Sequence, residues 1–414
     1  MRVLIIGAGA IGLWLGAYLV RSGNPVTFVG RPRVTEAIAR DGLTVTQADG
    51  HKWTVNNFNV VTSIGDAATV RNDNREGFDL VIFTVKAYSL VEAVRDLTAV
   101  WGQISGAAST QHGQPVLVCF QNGVGCEEII AEAFGRERVV SATTTSPVVM
   151  AASAPGAISE ARSAGCICLA PVSVDHRIAQ SGNSARRHGD SSQIDDASLK
   201  ATVGKVADVL SATGLDVRQY GDHRALKWSK MVLNILGNAT GAILDMPVGD
   251  LYRDARVFDL EMRMLSEAGQ VMKRLGIRAL DLPHFPAALM LRAAAVVPHG
   301  LLRPILRRRL VSGRGDKRPS FYYDVARSAR SAQSAGHSEV QWLNGAVARH
   351  GEELGIPTPV NARLTTVLTD LVSGAQDPGR WRGRVDKLAG ESGGAEEKRR
   401  KGEGGRGEGR ADRG

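Results

Sequence analysis

The segment KWSKMVLNILGN, residues 227–238, combines an apolar helical pattern with three polar side chains that could do chemistry. The pattern of residues 222–244 predicts one long helix. On that helix Lys230, Asn234 and Asn238, spaced by four residues, would form one slowly drifting stripe. Burying an unpaired amide costs about 2–7 kcal/mol in an apolar setting, and an ammonium costs more. The stripe therefore indicates either a wet site, where these groups meet a ligand, or a polar seam between packed helices.

Two further polar positions follow apolar runs in the first half of the chain. The runs FDLVIFTVK and PVLVCFQNG predict buried strands, and they lead to Lys86 and Asn122. Ligands of an open parallel sheet bind at the carboxyl ends of its strands. We therefore expect Lys86 and Asn122 to face a cofactor or substrate, although a lone lysine after a strand is more often only solvated.

The strand and helix that open the chain carry a dinucleotide-binding pattern. RVLIIGAGAIG predicts a buried strand that leads into a helix, with Gly7, Gly9 and Gly12 between them in GxGxxG spacing. Gly7 would make the tight turn, Gly9 would let the backbone approach a pyrophosphate, and Gly12 would let the helix pack on the strand. The predicted coenzyme loop consists of Gly7, Ala8, Gly9, Ala10, Ile11 and Gly12.

The end of the second predicted strand, PVTFVG, indicates which coenzyme is used. An NAD enzyme usually has an acidic residue there, which accepts a hydrogen bond from the ribose 2′-hydroxyl. This chain has Gly30 followed by Arg31, with Arg33 nearby. A guanidinium pairs well with a 2′-phosphate, so we predict NADP (NADPH). The alternative is that Arg31 is only a surface residue on a loop.

The order of the predicted elements gives the fold class. Strands and helices alternate in the first half, and the pattern is helical from Asp222 onward. We predict an α/β N-terminal Rossmann-type dinucleotide-binding domain followed by an all-α C-terminal domain. The NADP-binding domain would cover residues 1–221, with a polar insertion at about 172–198, and the helical substrate and catalytic domain residues 222–387. The tail 388–414 mixes both charges with glycine and should be disordered.

Composition excludes several other classes. The formal charge of +9 comes largely from the basic insertion 303–318, which lacks interleaved aromatic residues and therefore favours a solvated segment over a nucleic-acid surface. The cysteines, which form no CxxC pair, are Cys119, Cys126, Cys166 and Cys168. Their spacing predicts neither a zinc site nor a disulfide framework and fits a reducing cytoplasm. Apart from the opening stretch 1–20, which is broken by the spaced glycines, no apolar run reaches the roughly 20 residues that a membrane helix needs, so we expect no membrane partner.

Taken together, these motifs resemble the ketopantoate reductase (2-dehydropantoate 2-reductase) family. The shared pieces are GAGAIG at 7–12, VGR at 29–31, VKAY at 85–88, QNGVG at 121–125, WSKMVLNILGN at 228–238, PSFYYD at 319–324, SEVQWLNGAV at 338–347 and GIPTPVN at 355–361. They span nearly all of the chain outside the insertions and the tail. The W-x-K-x-x-x-N-x-x-x-N pattern is the most specific of them, and GxGxxG is the least.

The resemblance implies roles for particular residues. In this family the lysine of the W-x-K pattern is the proton donor and the two asparagines after it bind substrate, which implies these roles for Lys230, Asn234 and Asn238. The serine that opens SFYYD also binds substrate, and here it is Ser320. The family's acidic residue, which borders both substrate and nicotinamide ribose, corresponds to Glu339 and implies a catalytic role.

The remaining matches and the departures bear on substrate. Lys86 and Asn122 carry over as cofactor and substrate contacts. Ser89 stands where the family has a glutamine, and Val248 stands where it usually has a substrate-binding asparagine. The longer spacing between Asp324 and Glu339 makes the correspondence of Glu339 less direct than that of Lys230.

The resemblance therefore implies NADPH-dependent reduction of a 2-oxo acid, with 2-dehydropantoate reduced to pantoate in pantothenate and coenzyme A biosynthesis. Two alternatives stay open: a family member that reduces a different 2-oxo acid, and a non-catalytic NADP-binding sensor. The expected partners are a small-molecule 2-oxo acid and no nucleic acid, and a homo-oligomer is left open.

Overall fold

A computed structural model describes residues 1–70, 77–106, 114–151, 153–160, 165–173, 196–314, 318–328 and 336–390. The chain divides into two units. The first comprises Met1–Lys230 with the short segment Leu282–Phe285, and the second comprises Met231–Asp281 with the chain from Pro286 onward. The sequence predicted a boundary after residue 221, whereas the first unit continues to Lys230.

The first unit contains two sheets. The strands in chain order are β1 (Val3–Ile6), β2 (Val26–Val29), β3 (Leu43–Thr46), β4 (Lys52–Val55), β5 (Asn59–Val61), β6 (Leu80–Phe83), β7 (Val116–Cys119), β8 (Val139–Thr144), β9 (Val148–Met150), β10 (Ala157–Glu160), β11 (Ile167–Pro171) and β12 (Val217–Gln219). The larger sheet has the order β12-β11-β8-β7-β6-β1-β2-β5. Its run from β5 to β8 is parallel throughout, and β11 pairs antiparallel with β8.

Helices cover the larger sheet and explain why its central strands are entirely apolar. The helices of this unit are α1 (Ala10–Arg21), α2 (Pro32–Asp41), α3 (Ile64–Thr69), α4 (Leu90–Ala99), α5 (Trp101–Ser105), α6 (Cys126–Phe134) and α7 (Asp196–Ser211). Every residue of β1, β2 and β6 is buried, as expected for parallel strands with both faces covered. The predicted Rossmann-type α/β fold is confirmed.

The smaller sheet, with the order β4-β3-β10-β9, was not predicted. Its strands β3 and β4 pair antiparallel, and the connection between them contains Asp49 and Gly50. The two strands alternate between more and less buried positions, which is the pattern of strands with one solvated face. The Asp-Gly pair between two alternating runs is a hairpin signal and could have revealed this sheet.

The second unit is helical, as predicted. The division between the units falls within helix α8 (His223–Ile235). The later helices are α9 (Ala239–Leu244), α10 (Val248–Leu251), α11 (Ala255–Arg274), α12 (Ala287–Val296), α13 (His299–Arg314), α14 (Ser320–Ser328), α15 (Asn344–Glu353), α16 (Pro359–Ser373) and α17 (Val385–Gly390). Among the described helices, none is both long and apolar enough to cross a bilayer.

One predicted helix is in fact two. The segment 222–244 forms α8 and α9, separated by a turn in which Gly237 has a φ of +65°. That left-handed backbone costs glycine little, and it ends the helical path. The prediction that Lys230, Asn234 and Asn238 share one helical stripe was therefore wrong. Lys230 and Asn234 lie on α8, and Asn238 is the residue that precedes α9.

Three other predicted segments lie partly or wholly outside the described residues. Most of the polar insertion, 174–195, is outside them, and so is the tail from residue 391. Residues 388–390 belong to α17 rather than to a disordered tail. Of the basic insertion, residues 303–314 continue helix α13, and 315–317 are outside the described part of the chain.

Candidate active site

The turn between β1 and α1 is built by close backbone approach to the end of β6. Gly7 has a φ of +118°, and a β-carbon there would lie 2.6 Å from the backbone nitrogen of Val85. Thr84, which follows β6, donates from Oγ1 to the carbonyl oxygen of Gly7 at 2.7 Å. A β-carbon at Gly12 would collide with that same carbonyl oxygen. The spacing of these glycines is therefore dictated by the packing of the turn.

The same turn leaves room for a phosphate. A β-carbon at Gly9 would meet no heavy atom within 4 Å, so the space in front of this residue is open. Helix α1 begins directly after it, has no acidic residue in its first turn and receives no side-chain cap from Gly9. Its first backbone N–H groups and its dipole favour an anion. These residues fit the pyrophosphate of a dinucleotide.

The end of β2 has a steric reason for lacking an acidic residue. A β-carbon at Gly30 would lie 2.5 Å from the β-carbon of Ala8 in the coenzyme loop, so any side chain at position 30 is disfavoured. Arg31 comes next, caps α2 through its backbone and carries an exposed side chain. Arg33 is also exposed. Arg31 and Arg33 are thus the cations nearest in sequence to the end of β2.

Lys86 and Asn122 lie beyond the carboxyl ends of two neighbouring strands. Phe83 and Cys119 are partners in the register of β6 and β7, and each predicted site residue stands three positions further along its own segment. Both side chains are exposed. Because adjacent parallel strands end at one edge of the sheet, the structure puts these residues on the edge where ligands of this fold class bind.

Lys230 is half-buried in α8, and its charge acts on the thiol of Cys168 in β11. Cys166 and Cys168 have their Sγ atoms 3.2 Å apart. The pKa of Cys168 is raised, first by its hydrogen bond with Cys166 and then by burial, while the positive charge of Lys230 acts in the opposite direction. Among the described residues, no group of three or more His, Cys, Asp or Glu side chains could hold a metal ion.

In the second unit the structure brings Asn238 and Ser320 together. Asn238 Oδ1 accepts hydrogen bonds from Ser320 Oγ and from the backbone N–H of Phe321, both at 3.1 Å. Because a backbone N–H can only donate, these bonds fix which end of the amide is oxygen. The Nδ2 group therefore points away from Ser320, and it has no partner among the described residues. Its N–H groups are therefore not used by the described part of the protein.

A buried carboxylate that the sequence analysis missed shapes the turn in front of Asn238. Glu261 on α11 is fully buried and accepts from the Gly237 N–H at 2.8 Å and from Thr240 Oγ1 at 2.5 Å. Tyr252 Oη donates to the same carboxylate at 3.3 Å. Glu261 thus holds both sides of the break between α8 and α9. The glycine-asparagine pair after an apolar helix was the signal in the sequence.

Glu339, a predicted catalytic residue, and Val248, which departs from the family pattern, lie on other segments of the second unit. Glu339 is buried and begins a short 3₁₀ helix, Glu339–Trp342, whose start is capped by the hydroxyl of Ser338. Val248 is buried at the start of α10, and a β-carbon at Gly237 would lie 3.1 Å from it. The residue that replaces the family's asparagine is therefore part of the packing around the turn that carries Asn238.

Comparison with known proteins matches most of this chain to one family. The family model for ketopantoate reductase PanE/ApbA matches residues 3–166, and the model for its C-terminal part matches residues 222–372. The chain is similar to the 2-dehydropantoate 2-reductase of Archaeoglobus fulgidus, with 26% identity over 373 residues, which are 90% of this chain and 98% of that protein.

Two solved structures share the fold. The PanE/ApbA family ketopantoate reductase from Ralstonia eutropha JMP134 aligns with a TM-score of 0.67 and 23% identity, over 91% of this chain and all of that chain (100%). D-mandelate dehydrogenase with NADH and anilino(oxo)acetate aligns with a TM-score of 0.64 and 21% identity, over 90% of this chain and 99% of that chain. These likenesses confirm the two-part fold. The chain belongs to the ketopantoate reductase family, whose members are NADPH-using oxidoreductases that act on a CH–OH or C=O group.

Proposed function

We propose that this protein reduces a 2-oxo acid with NADPH, and that the acid is 2-dehydropantoate, which becomes pantoate for pantothenate and coenzyme A biosynthesis. The observation that supports this most directly is the available amide donor of Asn238 beside the hydroxyl of Ser320. A donor and a hydroxyl side by side suit the carboxylate and hydroxyl oxygens of such an acid. The named relatives of the same family point to the same substrate.

The proposed chemistry assigns one task to each residue. When bound, the coenzyme supplies a hydride to the ketone carbon. Lys230 donates a hydrogen bond to the ketone oxygen, stabilises the negative charge that develops there and gives up the proton. Asn234, Asn238 and Ser320 hold the acid, and Glu339 orients it. Asn122 and Lys86 contact the coenzyme, with Asn122 also reaching the substrate.

Changing Asn238 to aspartate tests substrate binding with little change in shape. Asn238→Asp keeps an oxygen that accepts from Ser320 and Phe321, but it replaces the outward N–H donor with a charged oxygen. A hydrogen bond to a charged group is worth about 1.5–3 kcal/mol. We therefore expect the KM for 2-dehydropantoate to rise by about 10- to 100-fold, with kcat changed less. The exposed Asn57, changed to Asp, is the matched control.

Arg31 tests the choice of coenzyme. If its guanidinium pairs with the 2′-phosphate, Arg31→Ala loses about 1.5–3 kcal/mol of charge-assisted binding to NADPH only. The KM for NADPH should rise by at least about 10-fold, while that for NADH stays within a factor of about two. Arg40, an exposed arginine on the helix that Arg31 caps, provides the control variant Arg40→Ala. Equal losses with both coenzymes would show that Arg31 only supports the fold.

The buried Val248 favours a second substrate within the same reaction class. It removes an amide from the position where the family usually has asparagine and leaves an apolar contact. A panel of 2-oxo acids, branched, linear and aromatic, should be compared through the loss of NADPH absorbance. The highest kcat/KM with 2-dehydropantoate supports the proposed substrate. A higher value with another acid would replace it, and no turnover with any acid would favour an NADP-binding sensor.

A further inference from the structure

A buried ion pair joins helix α8 to the segment that leads into Asn122. Lys227 Nζ lies 2.9 Å from Glu127 Oε1, and the two side chains are only 2% and 1% exposed. The same ammonium donates to the carbonyl oxygen of Gln121 at 2.6 Å and to that of Cys119 at 3.4 Å. Ser141 on β8 donates to Glu127 at 2.8 Å. Lys227 is thus fixed on β7, on the residue before Asn122 and on α6 at once.

A second contact holds the same face of α8. His223 Nε2 lies 3.3 Å from Glu128 Oε1, and His223 is one helical turn before Lys227. Glu127 and Glu128 are both in the first turn of α6, where the helix dipole favours negative charge. Burial alone would lower the pKa of Lys227, but attraction to Glu127 and Cys119 outweighs it and the pKa is raised. Lys227 therefore remains charged.

The network also reaches the edge of the sheet that carries Lys86. Gln121 Nε2 donates to the carbonyl oxygen of Val85 at 3.1 Å, and its side-chain oxygen accepts from Cys119 Sγ at 3.0 Å. Val85 precedes Lys86, and Gln121 precedes Asn122. The ammonium of Lys227 holds Gln121, and the side-chain amide of Gln121 holds Val85. The segments that carry Asn122 and Lys86 are thus linked to each other and to α8.

Stability alone is a poor reason for such a pair. A buried ion pair often contributes no more than well-packed apolar side chains of the same size, because desolvation offsets the attraction. What it does provide is orientation. Lys227 and Lys230 are three residues apart on α8, so their side chains diverge by about 60° and lie one turn apart. Fixing Lys227 to β7 therefore sets the direction in which Lys230 points.

We propose that Lys227, held by Glu127, is a positioning residue that fixes Lys230, Asn122 and Lys86 relative to one another. The inference rests on the proposed function, because that function gives these three residues their tasks. Lys227 itself is buried and bonded to the protein, so it acts through its neighbours and not on the substrate.

The test is the double variant Lys227→Met/Glu127→Gln, which removes both charges and leaves no unpaired buried charge. We expect Tm to stay within a few degrees of that of the original protein. Misplacement of reacting groups by about 1 Å can cost 10²-fold in rate. We therefore expect kcat with NADPH and 2-dehydropantoate to fall by about 10²-fold, with the KM for the acid nearly unchanged.

Hydrogen exchange in the coenzyme-free protein gives a readout that needs no turnover. The backbone amides of residues 122–124 should exchange at least about 10-fold faster in the double variant, because their anchor at Gln121 is lost. If the double variant does not fold, Glu127→Gln alone keeps the bonds of Lys227 to Gln121 and Cys119. Because the introduced glutamine no longer pairs with the ammonium as a carboxylate does, the Lys227–Gln121 bond should be weakened rather than lost, and the same changes should appear at a smaller size.

Lys230→Met, measured in parallel, separates the two ideas. If Lys230→Met loses turnover while the double variant keeps both normal kcat and normal exchange at residues 122–124, the positioning role is wrong and the proposed function stands. If Lys230→Met keeps normal turnover, the proposed function fails, and the exchange data alone decide whether Lys227 anchors this edge. Normal exchange there overturns the inference in either case.

Discussion

Lys230→Met should lower kcat by at least about 10²-fold while the protein still folds and still binds NADPH. Methionine keeps most of the length of the side chain but removes the charge and the proton. General acid catalysis contributes about 10²–10⁴-fold, and stabilisation of the developing oxyanion adds to it. Turnover is measured with NADPH and the preferred 2-oxo acid, and NADPH affinity by fluorescence titration.

The control for Lys230 is an exposed lysine on another helix, to which no task is assigned. Lys200 on α7 is 71% exposed and pairs with Asp196 four residues earlier, so Lys200→Met should leave kcat unchanged. If Lys230 and Asn234 instead belonged to a polar seam between packed helices, Lys230→Met would fold as well or better, since an apolar chain replaces a partly buried charge. A stable variant with near-normal turnover would remove Lys230 from the mechanism.

Glu261→Ala should cause the largest loss of stability among the variants considered. It removes the acceptor for the Gly237 N–H, the Thr240 hydroxyl and the Tyr252 hydroxyl, all inside the second unit. A buried donor left without its acceptor costs about 1–3 kcal/mol. We therefore expect the free energy of unfolding to fall by about 3–6 kcal/mol, measured by urea denaturation followed by circular dichroism.

The substrate side of the same variant should respond as well. Because Glu261 holds the turn in front of Asn238, its loss should raise the KM for the acid wherever enough protein folds for an assay. Glu261→Gln keeps one acceptor oxygen and should lose about half as much stability. The exposed Glu92 on α4 gives the control Glu92→Ala, which we expect to change stability by less than about 0.5 kcal/mol. Equal stability of Glu261→Ala and the control would refute the role of Glu261.

The sequence predicts the coenzyme half of the molecule well because its signals are local. An apolar run, three spaced glycines and a helix define the β1–α1 turn without help from distant residues. The strand ends before Lys86 and Asn122 are likewise marked by short apolar runs that stop at polar residues. The break at Gly237 was missed because a single glycine in a helical pattern is tolerated often enough to be overlooked. The turn at Gly237 is stabilised by an acceptor from Glu261, which lies 24 residues later in the chain and cannot be recognised from the local pattern.

The buried charges of this protein could not be predicted from any local sequence pattern. Lys227 and Glu127 are a hundred residues apart in the chain, and each has the appearance of a polar residue on a solvated helix face. Their burial depends on β7 and β8 lying beneath them, which is a property of the sheet order. The amide orientation of Asn238 is likewise hidden from any local pattern, since it is fixed by the backbone of Phe321 more than eighty residues later.

The contact between Gly30 and Ala8 also has an evolutionary consequence. A common route from NADP to NAD would place aspartate at the end of β2, but its β-carbon at position 30 would lie 2.5 Å from that of Ala8. Ala8→Gly alone gives no new coenzyme contact, and Gly30→Asp alone disturbs the coenzyme loop. A lineage would need both substitutions together before either was useful. Packing at position 30 therefore opposes a change of coenzyme through this single substitution.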